Sequence, residues 1–551
     1  MPATKLSNFT LHKVILPTSI GEKKITIYIK KESSFQDSPI VQFGFTPEGS
    51  TKRPINHIIS LKQHETDSDL LKGTFWMEDD LSNIIEKEHH NYPGMDIKIA
   101  EGQTVALKIS LLSTIQKNVE KPLNFDKSVK ANVYMLKELS FVVPRPLRIA
   151  LMGDSYAAGV GTGVYDISGP DNDPQAFRSS ISGLERYISR LREDYRVDHI
   201  NATYSGAQLL EGNEKTKWNG DFKYIGSSII SISNYSELEE LDNAEQLPLE
   251  TYNTEEGTQL KQVTQWLDEK PLDYVFMTIG GNDMYERKNG KSGLSKLINR
   301  VLGNIGKLNQ RDYDRITLGK KTLKMALKLL EQHTQNHPLF KETQWILNTY
   351  PDITKNENGH YVDYATVSHL EMRRVYELVL EPLNDIIKEF CQKSTNSKFI
   401  ANDVKANNPL IEYHGVTSTQ PWFNDLSEVQ EIKNKTIINI IESLLIPSRL
   451  INIIINAINK RLTNDKSEAD DSINKSFHPN AIGQYEVYYK SLKKIFEKSY
   501  LDDIKSKEPS ILTIDPHLPD LDAPHIPDLN ALHQEFKPVN PQNLNLSREK
   551  R

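Results

Sequence analysis

The spacing of apolar residues changes near Pro144, and that change constrains the fold more than any other feature of the chain. From about Thr10 to Pro144 the apolar runs alternate, as in "KKITIYIKK", "SPIVQFGF", "HIISLKQ", "LKGTFWM", "QTVALKISLL" and "KANVYMLKELSFVV". Apolar side chains at every second position, with Gly, Pro and Asp between runs, predict antiparallel strands with one wet face. After the two prolines of "VVPRPL" at 142–147 the strand candidates become "LRIALMG", "VDHINATYSG", "LDYVFMTIGGND" and "SKFIANDV". Short apolar runs of this kind suit strands covered on both faces. Helical stretches such as "ISGLERYISRLREDY" and "LKMALKLLEQHTQ" lie between them. Strands alternating with helices predict an α/β domain with a parallel sheet.

A chain of 551 residues exceeds what one core usually organises. We read 1–144 as a β-rich, β-sandwich-like accessory domain, 145–505 as the α/β domain and 506–551 as a Pro-rich extended tail. The gaps at 208–265, 285–345 and 403–470 are long enough to be helical insertions or lids. One insertion, "TIINIIESLLIPSRLINIIINAINKRL" from Thr436 to Leu462, carries apolar residues on one helical face on each side of Pro447. Its polar and charged interruptions argue against a membrane span. It suits either two helices packed on the core or a lid, 436–462, that meets acyl chains or a membrane surface. In the tail, "PHLPDL" at Pro516 recurs as "PHIPDL" at Pro524. Such a segment cannot build a core and suits an extended surface path or a docking motif for a protein partner.

Composition narrows the function. Hydrophobic residues at 37% and charged residues at 26%, with both signs mixed, describe a soluble globular chain. A net charge of -7 with no basic stripe argues against a nucleic-acid partner. Cys391 is the only cysteine, which excludes an intrachain disulfide and a cysteine zinc site. It reads as a small hydrophobe on a helix. His517 and His525 sit among prolines without partner cysteines, a poor metal set. The start, "MPATKLSNFTLHKVILP", has no charged region followed by an apolar one. The expectation is synthesis in the cytoplasm without a signal peptide, so that any export would follow a leaderless route.

The chemistry centres on "GDSYAAGVGTG" at Gly153, directly after the run "LRIALM". Ligands of parallel α/β sheets bind at the carboxyl ends of strands. A serine there becomes a nucleophile once a base takes its proton and donors await the anion formed on the substrate carbonyl. A phosphate-binding loop is the rival reading, but no Lys-Ser or Lys-Thr pair follows and the glycines lack the dinucleotide spacing. Two further strand ends offer donors: "NATYSGAQ" with Gly206 and "FMTIGGND" with Gly280, Gly281, Asn282 and Asp283. "KSFHPNAIGQ" puts His478 in a loop just before a helix, where it can serve as the base.

In that order, "GDS", the isolated Gly206, "GGND" and "HPN" resemble the four motif blocks of the SGNH, or GDSL-type, serine hydrolases, over roughly 146–495. "YSGAQ", "TIGGND" and "SFHPNAIGQ" look most like the bacterial lipase and phospholipase branch. The resemblance implies a flavodoxin-like α/β/α sandwich, with Ser155 as nucleophile and His478 as general base and then acid. The oxyanion hole would comprise the N–H groups of Ser155 and Gly206 and the Asn282 side chain, with Asp154 and Asp283 structural, and by the same resemblance no metal or organic cofactor is expected. The family commonly carries an aspartate three residues before the histidine; this chain has Lys475. By resemblance to members that lack the carboxylate, the Lys475 backbone carbonyl would orient His478, with Asp470 or Asp471 as the competing source. The implied substrate is a lipid-like carboxylic ester. A carbohydrate O-acetyl esterase using the β module for glycan is a second reading, and a non-catalytic interaction protein on a hydrolase scaffold a third. A lipid hydrolase of this build also suits an effector delivered by a contact-dependent secretion machine.

Overall fold

The computed structural model describes residues 9–17, 20–31, 40–47, 55–77, 101–113, 132–167, 169–170, 176–211, 228–231, 258–284, 309–363, 368–394, 398–424, 478–497 and 511–513. The insertion at 436–462, Lys475, Asp470, Asp471 and both tail repeats lie outside the described residues.

The alternating runs form two antiparallel sheets. One has the order β16-β1-β2-β6-β5, with β1 Phe9–Ile15, β2 Lys24–Lys31, β5 Lys62–Gln63, β6 Leu70–Trp76 and β16 Ile511–Thr513. The other has the order β4-β3-β7-β8, with β3 Ile40–Pro47, β4 Ile55–Ser60, β7 Thr104–Ser113 and β8 Asn132–Val142. Ile25, Ile27 and Ile29 of β2 share one core with Phe43 and Phe45 of β3 and Leu107 and Ile109 of β7. The two-residue spacing within each strand is what puts these side chains on inner faces. The segment read from sequence as tail thus supplies one edge strand to the first sheet, with Lys13 opposite Thr513.

The continuous runs form a five-stranded parallel sheet in the order β10-β9-β13-β14-β15, with β9 Leu147–Gly153, β10 Val197–Asn201, β13 Tyr274–Thr278, β14 Gln344–Asn348 and β15 Phe399–Asn402. Counted in chain order this is 2-1-3-4-5, the flavodoxin-like winding. Leu147, Ile149 and Leu151 of β9 face one side, against Leu184, Tyr187 and Ile188 of helix α2 (Gly183–Asp194). Ala150 and Met152 face the other, in the core that holds Leu260 and Val263 of α3 (Gln259–Leu267), Leu323 of α4 (Gln310–Asn336) and Leu383 of α5 (Glu381–Lys393). Helices therefore cover both faces, which is why every residue of β9 and β13 is buried. β14 falls at the end of a stretch that the sequence reading took for an insertion; it is the fourth strand of the sheet. A parallel pair, β11 Gln208–Glu211 with β12 Ser228–Ser231, lies apart from the main sheet.

The β domain docks at the amino ends of the parallel strands. Arg145, at the boundary, accepts from the Gly21 N–H at 2.9 Å and grips Asp273 with both terminal guanidinium nitrogens at 2.8 and 2.6 Å. Arg148, itself buried, donates to Glu101 at 2.7 Å. The Gly21 carbonyl accepts from the Arg196 N–H at 2.7 Å. A seven-residue strand spans roughly 20 Å, so this junction is that far from the carboxyl end of β9.

Candidate active site

Ser155 opens a one-turn helix, α1 (Ser155–Ala158), at the carboxyl end of β9. Asp154 caps it: its side chain accepts from the Tyr156 N–H at 3.0 Å. At the first helical position the Ser155 N–H has no intrahelical acceptor and is available to an anion. Helix α6 (481–497) begins at the Asn480 cap, whose side chain accepts from Ile482 and Gly483. His478, two residues earlier, brings Nε2 to 2.7 Å from the Ser155 hydroxyl oxygen. Both residues are only 9% exposed, so the contact is shielded from bulk water.

The His478 loop is strapped from outside. The Asn424 N–H donates to the His478 carbonyl at 2.9 Å, and the Asn480 N–H to the Trp422 carbonyl at 3.0 Å. The Asn424 side chain donates to the Gly161 carbonyl at 2.9 Å, tying the histidine loop to the turn beyond α1. The Lys475 carbonyl, named above as the orienting acceptor for the imidazole, lies outside the described residues.

Gly206 occupies the third position of a turn in which the Ala207 N–H donates to the Tyr204 carbonyl at 3.0 Å. Its φ of +80° is the left-handed value that a type II turn requires there, which explains a glycine. The Tyr204 N–H donates to the Gly153 carbonyl at 3.0 Å, so this turn borders the nucleophile strand. Asn282 lies in a 3₁₀ turn, Gly281–Asp283, after β13. Its side chain donates to the Ala207 carbonyl at 2.9 Å and is 5% exposed. The Asp283 carboxylate accepts from the Leu209 N–H at 3.0 Å, fastening the same two segments. The four residues singled out from sequence, Ser155, Gly206, Asn282 and His478, thus come from loops that meet at the β9 and β13 ends, the switch point of the sheet.

Three further side chains, none of them among the candidate site residues, support these turns. Gln259 holds Gly153 from both sides, accepting from its N–H at 2.7 Å and donating to its carbonyl at 2.9 Å. Gln484 accepts from the Gly183 N–H at 2.9 Å and donates to the Tyr156 carbonyl at 3.2 Å. The Tyr350 hydroxyl donates to Asp154 and accepts from the Gly281 N–H at 3.0 Å. Burial pushes the Asp154 carboxyl up to about 7, against the opposing pull of its Tyr350 and Tyr156 hydrogen bonds. Burial likewise keeps Tyr350 and Tyr156 protonated.

Among the described residues no cluster of three His, Cys, Asp or Glu side chains is placed to hold a metal ion, and no helix is long and apolar enough to cross a membrane. Cys391 packs at the edge of the core on α5, where burial pushes its thiol up to about 12. No protein-family model and no curated protein matches the chain. Among solved structures the chain is similar to an extracellular lipase from Streptomyces rimosus, at 16% sequence identity and a TM-score of 0.36, over 63% of this chain and 99% of the lipase. A likeness of that size transfers neither fold nor activity.

Proposed function

We propose that the protein is a serine ester hydrolase of the SGNH, GDSL type that cleaves lipid-like carboxylic esters. The observation that carries the reading is the 2.7 Å contact between the Ser155 hydroxyl and His478 Nε2 in a buried site at the end of a central parallel strand. Nε2 takes the hydroxyl proton as Oγ attacks the ester carbonyl carbon, forming a tetrahedral oxyanion. The Ser155 and Gly206 N–H groups and the Asn282 amide are the donors toward that charge. Collapse breaks the bond to the leaving alkoxide, which receives the proton from the imidazolium and departs as the alcohol. Water then attacks the acyl-serine with His478 again as base, releasing the acid and restoring Ser155.

The apolar 436–462 segment of the sequence favours a lipid over a small polar ester. The glycan reading is weakened by the docking of the β domain at the opposite end of the sheet. Its one tryptophan, Trp76, is also overlaid by the Lys23 and Lys24 ammonium groups, at 5.7 and 5.2 Å from the ring centre. Hydrolysis of acyl esters from acetyl to long chain, and of phospholipid vesicles, tests the proposal with the intact protein and Ser155→Ala. Activity that rises with chain length and vanishes in the variant is expected. Activity restricted to acetyl esters would move the substrate to an acetylated carbohydrate, and none at all would leave a scaffold without catalysis.

A further inference from the structure

Tyr350 lies just beyond β14, is 1% exposed, and joins two segments that the chemistry needs in fixed relation. Its hydroxyl donates to Asp154, the residue before the nucleophile, and accepts at 3.0 Å from the N–H of Gly281, the residue before Asn282. Its ring edge meets Tyr156, with centroids 5.0 Å apart at 71°, and the Tyr156 ring lies 4.9 Å from the His478 imidazole. Asn384 on α5 clamps the Tyr350 main chain, accepting from its N–H at 2.7 Å and donating to its carbonyl at 2.8 Å. One phenol therefore stands a single residue from the nucleophile and from the oxyanion amide, and a single ring from the base.

We infer that Tyr350 is a positioning residue that fixes the Asn282 turn relative to the Ser155 turn. The inference rests on the esterase reading above. A phenol suits the task because its hydroxyl donates and accepts at once on a rigid ring. An aliphatic or phenyl side chain of the same bulk would fill the space and leave the Asp154 carboxyl and the Gly281 N–H short of a partner in a buried site. The geometry matters to rate because the oxyanion exists only along the reaction path. A donor set slightly out of place then lowers kcat while ground-state binding persists.

The test is Tyr350→Phe, with steady-state hydrolysis of a soluble p-nitrophenyl ester and the rate of fluorophosphonate labelling at Ser155. The expected result is a kcat lower by roughly 10- to 100-fold, a KM within about twofold of wild type, and labelling slowed in parallel. Wild-type kcat, or a raised KM with kcat preserved, overturns the inference while leaving the esterase reading intact. A wild-type protein that neither hydrolyses the ester nor takes the phosphonate overturns the esterase reading and this inference with it. If circular dichroism shows that Tyr350→Phe does not fold, Asn384→Ala replaces it, releasing the Tyr350 main chain and keeping the hydroxyl. There a kcat lower by roughly three- to tenfold at unchanged KM is expected, and an unchanged kcat overturns the inference.

Discussion

His478 Nε2 lies 2.7 Å from the Ser155 hydroxyl, although 323 positions separate the two residues in the chain. The His478 loop is held by a main-chain bond from Asn424 and by the Asn480 cap, neither of which uses the imidazole. His478→Ala is therefore expected to keep the fold and lower ester hydrolysis by roughly 10³-fold or more, as when the base of a serine hydrolase is removed. Steady-state rates beside near-ultraviolet circular dichroism check both halves of the statement.

Asn282 supplies the only side-chain donor assigned to the oxyanion. Asn282→Ala is expected to reduce kcat by roughly 10²- to 10³-fold with little change in KM. Asn282→Asp should do no better, because a carboxylate would face the developing negative charge. Either variant retaining wild-type kcat would limit the side chain to tying the Ala207 carbonyl.

Two neighbouring glycines separate close approach from mere backbone strain. A Cβ at Gly161 would lie 2.6 Å from the Asn424 amide nitrogen, 2.7 Å from the Pro479 carbonyl and 3.0 Å from the His478 Cβ. At Gly163, with a φ of +78°, a Cβ meets nothing within 4 Å. Gly163→Ala should cost only the roughly 1–2 kcal/mol of a left-handed residue and leave activity within about threefold. Gly161→Ala should push the His478 loop from the serine and lower kcat by roughly tenfold or more. Parallel kinetics and thermal melts of the pair distinguish the two costs.

Much of this was legible because period and position report local physics. The alternating runs became the paired sheets of the β domain, and the runs after Pro144 became β9, β10, β13 and β15. Ser155, Gly206, Asn282 and His478 were legible because each sits in a strand-end turn or loop with its own residue signature. β14 was not, since "QWILN" overlaps the end of the long 285–345 gap that was read as an insertion. Tyr350, Gln259 and Asn424 were not, because each acts on a segment 106 to 263 positions away and no local pattern encodes such a partner. The strand at 511–513 was hidden by its length of three residues inside a Pro-rich context.

The buried Asp154 links the site to pH-dependent stability. It faces Tyr350, Tyr156, Tyr488 and the Asp283 carboxylate, and burial raises its carboxyl from 3.8 to about 7. Between those values the native protein holds a proton that the unfolded chain has released, so this group's contribution to stability is lost as pH rises from about 4 to about 7. Asp154→Asn can still cap α1 and cannot titrate. The difference in unfolding free energy between variant and wild type should shift toward the variant across that range and level off above it. Denaturant midpoints at half-unit pH steps check this, and a difference independent of pH would contradict it.

The central claim is that His478 makes Ser155 a nucleophile, and covalent capture tests it most directly. The intact protein would be treated with a fluorophosphonate and the adduct located by peptide mass spectrometry. The account predicts one adduct per chain on Ser155, none in Ser155→Ala, and labelling slowed by orders of magnitude in His478→Ala. An unmodified wild-type protein, or an adduct that persists in Ser155→Ala, would contradict it.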